Sequence, residues 1–314
     1  MTVDLGALAQ RVAGELARAD AMLPIATRPI AAMDRGPASP TALAVASPPT
    51  PAPRGVSFVR DQARIADFID HTLLKPEATR RDVERLCAEA RDNRFAAVCV
   101  NPVWVPLCHE LLAGSGVKVA TVIGFPLGAN QPEGKAAEAA LAVRQGADEC
   151  DMVAALGHIK SADWRHVARD IEAVVTAASG ALVKVIIESA LLSPLEVVKA
   201  SALAREAGAH YVKTSTGFNA AGGATAEAVT LMRLAVGDAL GVKASGGVRD
   251  CDAALKMIAA GATRIGTSSG VGMVQCLGSG PLPLRDLLAA PQNHAVRCST
   301  GSCAPAPSGT TSNY

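Results

Sequence analysis

Aromatic side chains are scarce in this sequence: Phe, Tyr and Trp together make up 3% of its 314 residues. A chain so poor in rings offers no stacking platform for exposed bases. Lys+Arg (30) and Asp+Glu (29) almost cancel, for a formal charge of +1, so the electrostatic footprint of a nucleic-acid binder is missing too. No apolar run approaches the roughly 20 residues that a membrane helix needs. No CxxC pair and no Cys/His cluster has metal-ligand spacing. The six histidines, His71, His109, His158, His166, His210 and His294, are scattered and are read as structural, His71 the least so because it adjoins Asp70. The N-terminus is rich in Ala and Arg but carries Asp4, Glu15, Asp20 and Asp34, which suits neither a secretory signal nor a transit peptide. These absences predict a soluble, cytoplasmic protein with no metal, no nucleic-acid partner and no membrane partner.

Hydrophobic residues, by contrast, make up 49% of the chain, enough for a large core. Cys99 and Cys150 lie in strand-like apolar runs and Cys87 on a helical stripe. They read as small buried hydrophobes in a reducing compartment. Residues 1–57 stand apart. Leu5, Leu8, Val12 and Leu16 could stripe a short helix, but the Pro/Ala/Ser-rich stretch after it predicts a disordered extension. Residues 279–314, ending in "GSCAPAPSGTTSNY", predict a disordered tail.

Between these ends, over 58–278, the sequence beats regularly. A helix-period segment is followed by Gly-Ala or Gly-Val and then by a β-branched run. Gly116, Gly146, Gly180, Gly208, Gly241 and Gly261 mark the joints, where glycine suits a helix C-terminus. Ser193-Pro194-Leu195-Glu196 reads as a capping box, and Trp164, Val167, Ile171, Val174 and Ala178 as one helix face. Eight strand-like runs follow from this: "FIDHTL" (68–73), "AAVCV" (96–100), "KVATVIG" (118–124), "ECDMVAAL" (149–156), "LVKVIIES" (182–189), "YVKTSTG" (211–217), "VKASGG" (242–247) and "RIGTSSG" (264–270). Strict β-α alternation over about 210 residues predicts an α/β fold, a (β/α)8 TIM barrel. An open doubly wound sheet would use fewer strands, and no Gly-x-Gly-x-x-Gly follows the first one.

Side chains alternate along a barrel strand between the interior and the helix layer. In "YVKTSTG" an outward Val212 sends Lys213 and Ser215 inward. Val242 does the same for Lys243 and Ser245, and Val183 for Lys184, Ile186 and Glu188. Asp151, between apolar Cys150 and Met152, joins them. Three amines and a carboxylate therefore converge in one interior. Burial and like-charge crowding both disfavour a protonated lysine. Such surroundings can bring its pKa to roughly 7–8, which makes a neutral amine able to form a Schiff base with a carbonyl.

Glycines close the last two strands. Gly246 and Gly247 would let backbone N–H groups approach an anion, Ser268 and Ser269 add hydroxyls, and Arg249 adds charge. Barrels of this kind commonly hold phosphate in those two loops.

The runs "IDHTLLKP", "GADECDMV", "VKVIIES", "YVKTSTGF", "VKASGGVR" and "RIGTSSG" resemble, in order, the motifs of deoxyribose-phosphate aldolase, a class I aldolase family, from about residue 65 to 275. The resemblance implies reversible cleavage of 2-deoxy-D-ribose 5-phosphate to D-glyceraldehyde 3-phosphate and acetaldehyde, without metal or other cofactor, in deoxyribose phosphate catabolism. It makes Lys213 the Schiff-base nucleophile, Lys243 the amine that lowers its pKa, and Asp151 the general acid/base. It makes Lys184 a supporting lysine and gives Asp70 and Cys99 lesser pocket positions. Gly217, Gly246, Gly247, Ser268 and Ser269 match its phosphate cradle. Phe218 stands where some members have lysine. The partners implied are a small sugar phosphate, an aldehyde and other copies of the chain in a homo-oligomer. Other Schiff-base barrels lack the paired "VKTSTG…VKASGG" pattern. A non-catalytic sugar-phosphate-binding barrel would use the same lysines only to hold anions.

Overall fold

The computed structural model describes residues 63–281; the extension expected at 1–57, and all but the first three residues of the tail expected at 279–314, lie outside them. The described residues alternate strand and helix. The strands are β1 (Ile69–Leu73), β2 (Ala97–Val100), β3 (Lys118–Ile123), β4 (Glu149–Val153), β5 (Leu182–Ile186), β6 (Tyr211–Lys213), β7 (Gly241–Ser245) and β8 (Arg264–Thr267). Each pairs in parallel with the next, and β8 pairs with β1, which closes the barrel. Helices α1 (Arg80–Asn93), α2 (Val105–Leu112), α3 (Pro132–Arg144), α4 (Leu156–Lys160), α5 (Trp164–Ala177), α6 (Pro194–Glu206), α7 (Ala226–Val236), α8 (Cys251–Ala259) and α9 (Gly270–Leu277) fill the connections. The predicted (β/α)8 TIM barrel is what forms.

Local chemistry sets the helix ends. Ser193 caps α6 and Glu196 reaches back to the Ser193 N–H at 2.7 Å, the reciprocal box its sequence predicts. On α5, Val167, Ile171 and Val174, with Ala178 just past its end, have no exposed surface, while Trp164, read on the same face, is half-buried. Trimming Ile171 to alanine would cost about 2–5 kcal/mol. A buried ion pair that the sequence analysis missed fastens the helix layer. Lys135 Nζ on α3 lies 2.7 Å from Asp170 Oδ2 on α5 and donates to the Val153 carbonyl at the end of β4.

Two expectations need correction. Five of the six joint glycines, 116, 146, 180, 208 and 261, take positive φ, but Gly241 does not. Gly241 opens β7, where a Cβ would strike the Tyr211 ring, so it serves space and Gly237 (φ 55°) ends α7 instead. Several strands are also shorter than read. Thr214 still bonds through its backbone, its N–H to the Lys243 carbonyl and its carbonyl to the Ser189 N–H, while its Oγ1 donates to the Ser245 carbonyl at 3.1 Å; beyond it Thr216 bonds the Glu188 carboxylate, and Gly217 turns at φ 87°. Strands β4, β5 and β8 likewise stop early, giving way to α4, a 3-10 turn at Ser189–Leu191 and α9.

Candidate active site

Alternation puts Asp70, Glu149, Asp151, Lys184, Lys213, Lys243 and Arg264 on the barrel axis, all buried. Register brings them level: Asp151 lies beside Lys184, and Lys213 beside Lys243. Lys184 Nζ sits 2.6 Å from Asp151 Oδ1 and 2.6 Å from Glu149 Oε2, with Asp70 at 3.6 Å. Lys243 Nζ is 2.5 Å from Asp70 Oδ2 and 2.7 Å from Asp151 Oδ2. Arg264 bridges Asp70 at 2.7 Å and Glu149 at 2.6 Å. Lys213 Nζ has one carboxylate, Asp151 Oδ2, at 2.9 Å.

Those distances decide which amine carries a proton. Burial works against charge on every one of them. For Lys184, the carboxylates of Asp151, Glu149 and Asp70 overcome burial and hold its pKa well above the usual lysine value. Asp151 and Asp70 do the same for Lys243. For Lys213, burial prevails: Asp151 opposes it, but the charge of Lys243 adds to it, and the pKa falls. Burial and crowding therefore disfavour charge on one lysine of the three, while carboxylates hold it on the other two. Asp151 is itself buried, yet Lys184, Lys213 and Lys243 hold its pKa well below the carboxylate range. Counted as charges, Asp70, Glu149 and Asp151 are balanced by Lys184, Lys243 and Arg264. Lys213 is left over.

Glu149 and Arg264 were missed in the sequence. Each opens its strand, Glu149 two residues before Asp151 on the same face, and that spacing was the available signal. Cys99 lines the barrel with Leu74, Ala97, Ala120, Val122 and Phe125, and burial pushes its thiol pKa up. His71 turns to the helix layer, Nε2 2.6 Å from Glu89, with its ring 5.1 Å from that of Phe95.

The loops after β6, β7 and β8 form a cavity of about 230 Å³ lined by Gly217, Gly246, Gly247, Arg249 and Ser268, among others. The β6 loop folds onto the β7 loop: the Ala224 N–H is shared between the carbonyls of Ser245 and Gly246, at 3.0 and 2.9 Å. Gly217, Gly246 and Gly247 all have positive φ, which glycine adopts at no steric cost. Ser269 is not among the lining residues; it begins α9, its N–H donating to Thr267 Oγ1. Glu188, read as facing the barrel interior, lies past the end of β5 in left-handed backbone at φ 48°. Its carboxylate accepts the Thr216 N–H and, at 2.5 Å, the Thr216 hydroxyl, and Thr216 Oγ1 accepts the Phe218 N–H at 3.1 Å. Phe218 meets Phe125 edge-on at 5.2 Å.

Residues 64–276 match the family described as DeoC/LacD family aldolase. A deoxyribose-phosphate aldolase of Thermotoga maritima is 56% identical over 220 residues, 69% of this chain and 88% of that protein. One from a Geobacillus species is 60% identical over 212 residues, 67% and 95% of the two chains. Among solved structures, the tetrameric deoxyribose phosphate aldolase of Aeropyrum pernix superposes with a TM-score of 0.63 at 39% identity, covering 67% of this chain and 89% of that one.

Proposed function

Because this chain belongs to the DeoC/LacD family of aldolases, we propose that it reversibly cleaves 2-deoxy-D-ribose 5-phosphate to D-glyceraldehyde 3-phosphate and acetaldehyde, through a Schiff base on Lys213. The observation that carries this reading is the uncompensated amine: Lys213 is buried against one carboxylate while each neighbouring cation has at least two.

The neutral Lys213 amine attacks C1 of the open-chain sugar, and the carbinolamine loses water to give an iminium. The proton on the C3 hydroxyl leaves, the C2–C3 bond breaks, and its electron pair flows into the iminium. The products are glyceraldehyde 3-phosphate and a neutral enamine. Protonation at C2 and hydrolysis then release acetaldehyde and restore the amine. Asp151 acts as general acid/base through water, and its low pKa makes each proton it takes a transient one. Lys243 keeps Lys213 deprotonated, and Lys184 and Asp70 fix Asp151 and Lys243 in place. Cys99 contributes apolar wall. The phosphate is assigned to the glycine cavity, with Gly217, Gly246 and Gly247 presenting backbone, Arg249 adding charge and Ser268 a hydroxyl, whereas Ser269 lies outside its lining. Phe218, which follows Gly217 in the chain and packs on Phe125, brings no charge to that loop, so the cradle relies on backbone donors, Ser268 and Arg249.

A homo-oligomer in the cytoplasm is the assembly and location we assign, within deoxyribose phosphate catabolism; the free buried thiols of Cys87, Cys99, Cys108, Cys150 and Cys251 suit a reducing compartment. No helix among the described residues is long and apolar enough to cross a membrane. The test is to supply the purified full chain with 2-deoxyribose 5-phosphate in the presence of chelator. Stoichiometric acetaldehyde and glyceraldehyde 3-phosphate are expected. Absence of both from folded protein would refute the reading and favour a barrel that only binds sugar phosphate.

A further inference from the structure

A second cluster of ligand-type side chains lies away from the barrel axis, where α4 meets α5. His158 belongs to α4, Asp163 caps α5, and His166 stands in the first turn of α5. One donor atom from each lies within 4.8 Å of the other two. The imidazoles stack face to face, centroids 3.5 Å apart and planes 9° from parallel. Asp163 divides its carboxylate: Oδ1 accepts the His166 backbone N–H at 3.2 Å, and Oδ2 lies 3.1 Å from His158 Nδ1. The side chains of His158 and Asp163 keep 44% and 47% of their surface exposed, so an ion reaches them without local unfolding.

We propose that His158, Asp163 and His166 bind one divalent transition-metal ion. Two imidazoles and one carboxylate suit Zn2+, Co2+ or Ni2+ better than Mg2+ or Ca2+, which favour all-oxygen shells. With metal–ligand bonds of about 2.0–2.2 Å, donors around a tetrahedral ion sit roughly 3.3 Å apart. The triad must therefore close by about 1.5 Å at most, and the rings must tilt out of their stack to aim their lone pairs. Side chains this exposed have that rotamer freedom. Water takes the fourth position. The N-terminal end of α5 opposes a cation, so the Asp163 charge is what makes the site viable. Two nearby charges are already engaged, Lys160 with Glu196 at 2.8 Å, and Asp170, one turn beyond His166, with Lys135; Arg165 and Arg169 on α5 add to the charge that Asp163 must offset. The pattern His-x4-Asp-x2-His escapes a search for Cys/His spacing because its third ligand is a helix cap. A bound ion would clip α4 to α5 and take no part in C–C cleavage.

The test is calorimetric titration of chelator-stripped full-length protein with Zn2+, beside Asp163→Asn, which retains a capping side chain, and His166→Ala. One ion per chain at micromolar affinity is expected, weakened at least tenfold by either substitution. Co2+ should give a spectrum without a thiolate charge-transfer band, and aldol cleavage should be unchanged in both variants. No binding up to 100-fold above the protein concentration would overturn the proposal. So would binding indifferent to both substitutions, or a thiolate band, which would move the ion to the cysteines.

Discussion

Lys213 Nζ lies 2.9 Å from Asp151 Oδ2 and reaches no other carboxylate within 4 Å among the described residues, whereas Lys243, its register partner on β7, touches both Asp151 and Asp70. With burial acting on both amines, one further carboxylate goes with a raised pKa at Lys243 and its lack with a lowered one at Lys213.

Lys243 is a source of the repulsion that lowers the Lys213 pKa. Replacing it with leucine removes that repulsion and leaves one buried carboxylate charge uncompensated, and both effects favour protonated Lys213. The pH at which imine forms should rise, measured as the rate of acetaldehyde trapping against pH. An unchanged profile would assign the depression to burial alone.

The reactive amine should cost stability. Lys213 has a lowered folded-state pKa, so between that value and about 10.4 the unfolded chain binds more protons and stability rises with pH. Below the folded pKa the penalty is complete, about 1.4 kcal/mol per unit of depression. Lys213→Met should therefore be inactive yet more thermostable at neutral pH, with the gain shrinking as pH approaches 10. Melting curves at several pH values would check the slope.

Arg264 closes the base of the cluster on Asp70 and Glu149. Arg264→Met strands two buried carboxylates and should destabilise the fold by about 3–5 kcal/mol, seen as a lower denaturation midpoint. A variant as stable as the wild type would mean that water reaches these groups.

Gly246 packs against Gly223 with φ 84°, so Gly246→Ala should deform the anion cavity and spare the lysines. KM for the phosphorylated sugar should rise about tenfold or more, roughly 1.4 kcal/mol, with acetaldehyde trapping unaltered. Glu188→Gln, which weakens the hold on Thr216, should shift the same ratio in the same direction but less. Equal losses in both assays would place the glycine in the lysine chemistry instead.

The barrel and the inward lysines were legible in the sequence because they rest on local periodicity: Val212 and Val242 set the parity that points Lys213 and Lys243 inward. Which lysine has the lowered pKa was not legible in that periodicity, and only the family resemblance pointed to Lys213. The lowering depends on Asp70 from β1, Glu149 and Asp151 from β4, and Arg264 from β8, meeting across the barrel at distances that only closure sets. Strand ends were overread at "YVKTSTG" because Thr216, past the last backbone bonds at Thr214, gives its N–H and hydroxyl to the Glu188 carboxylate, a competition that β-propensity does not reveal.

The central claim is that Lys213 is the neutral amine, and borohydride reduction of the protein with acetaldehyde, with chelator and without added metal, tests it most directly. Intact mass should increase by one ethyl group in place of one hydrogen, peptide mapping should put it on Lys213, and Lys213→Ala should abolish it. An adduct on Lys243 or Lys184, or none from folded protein, would contradict the account.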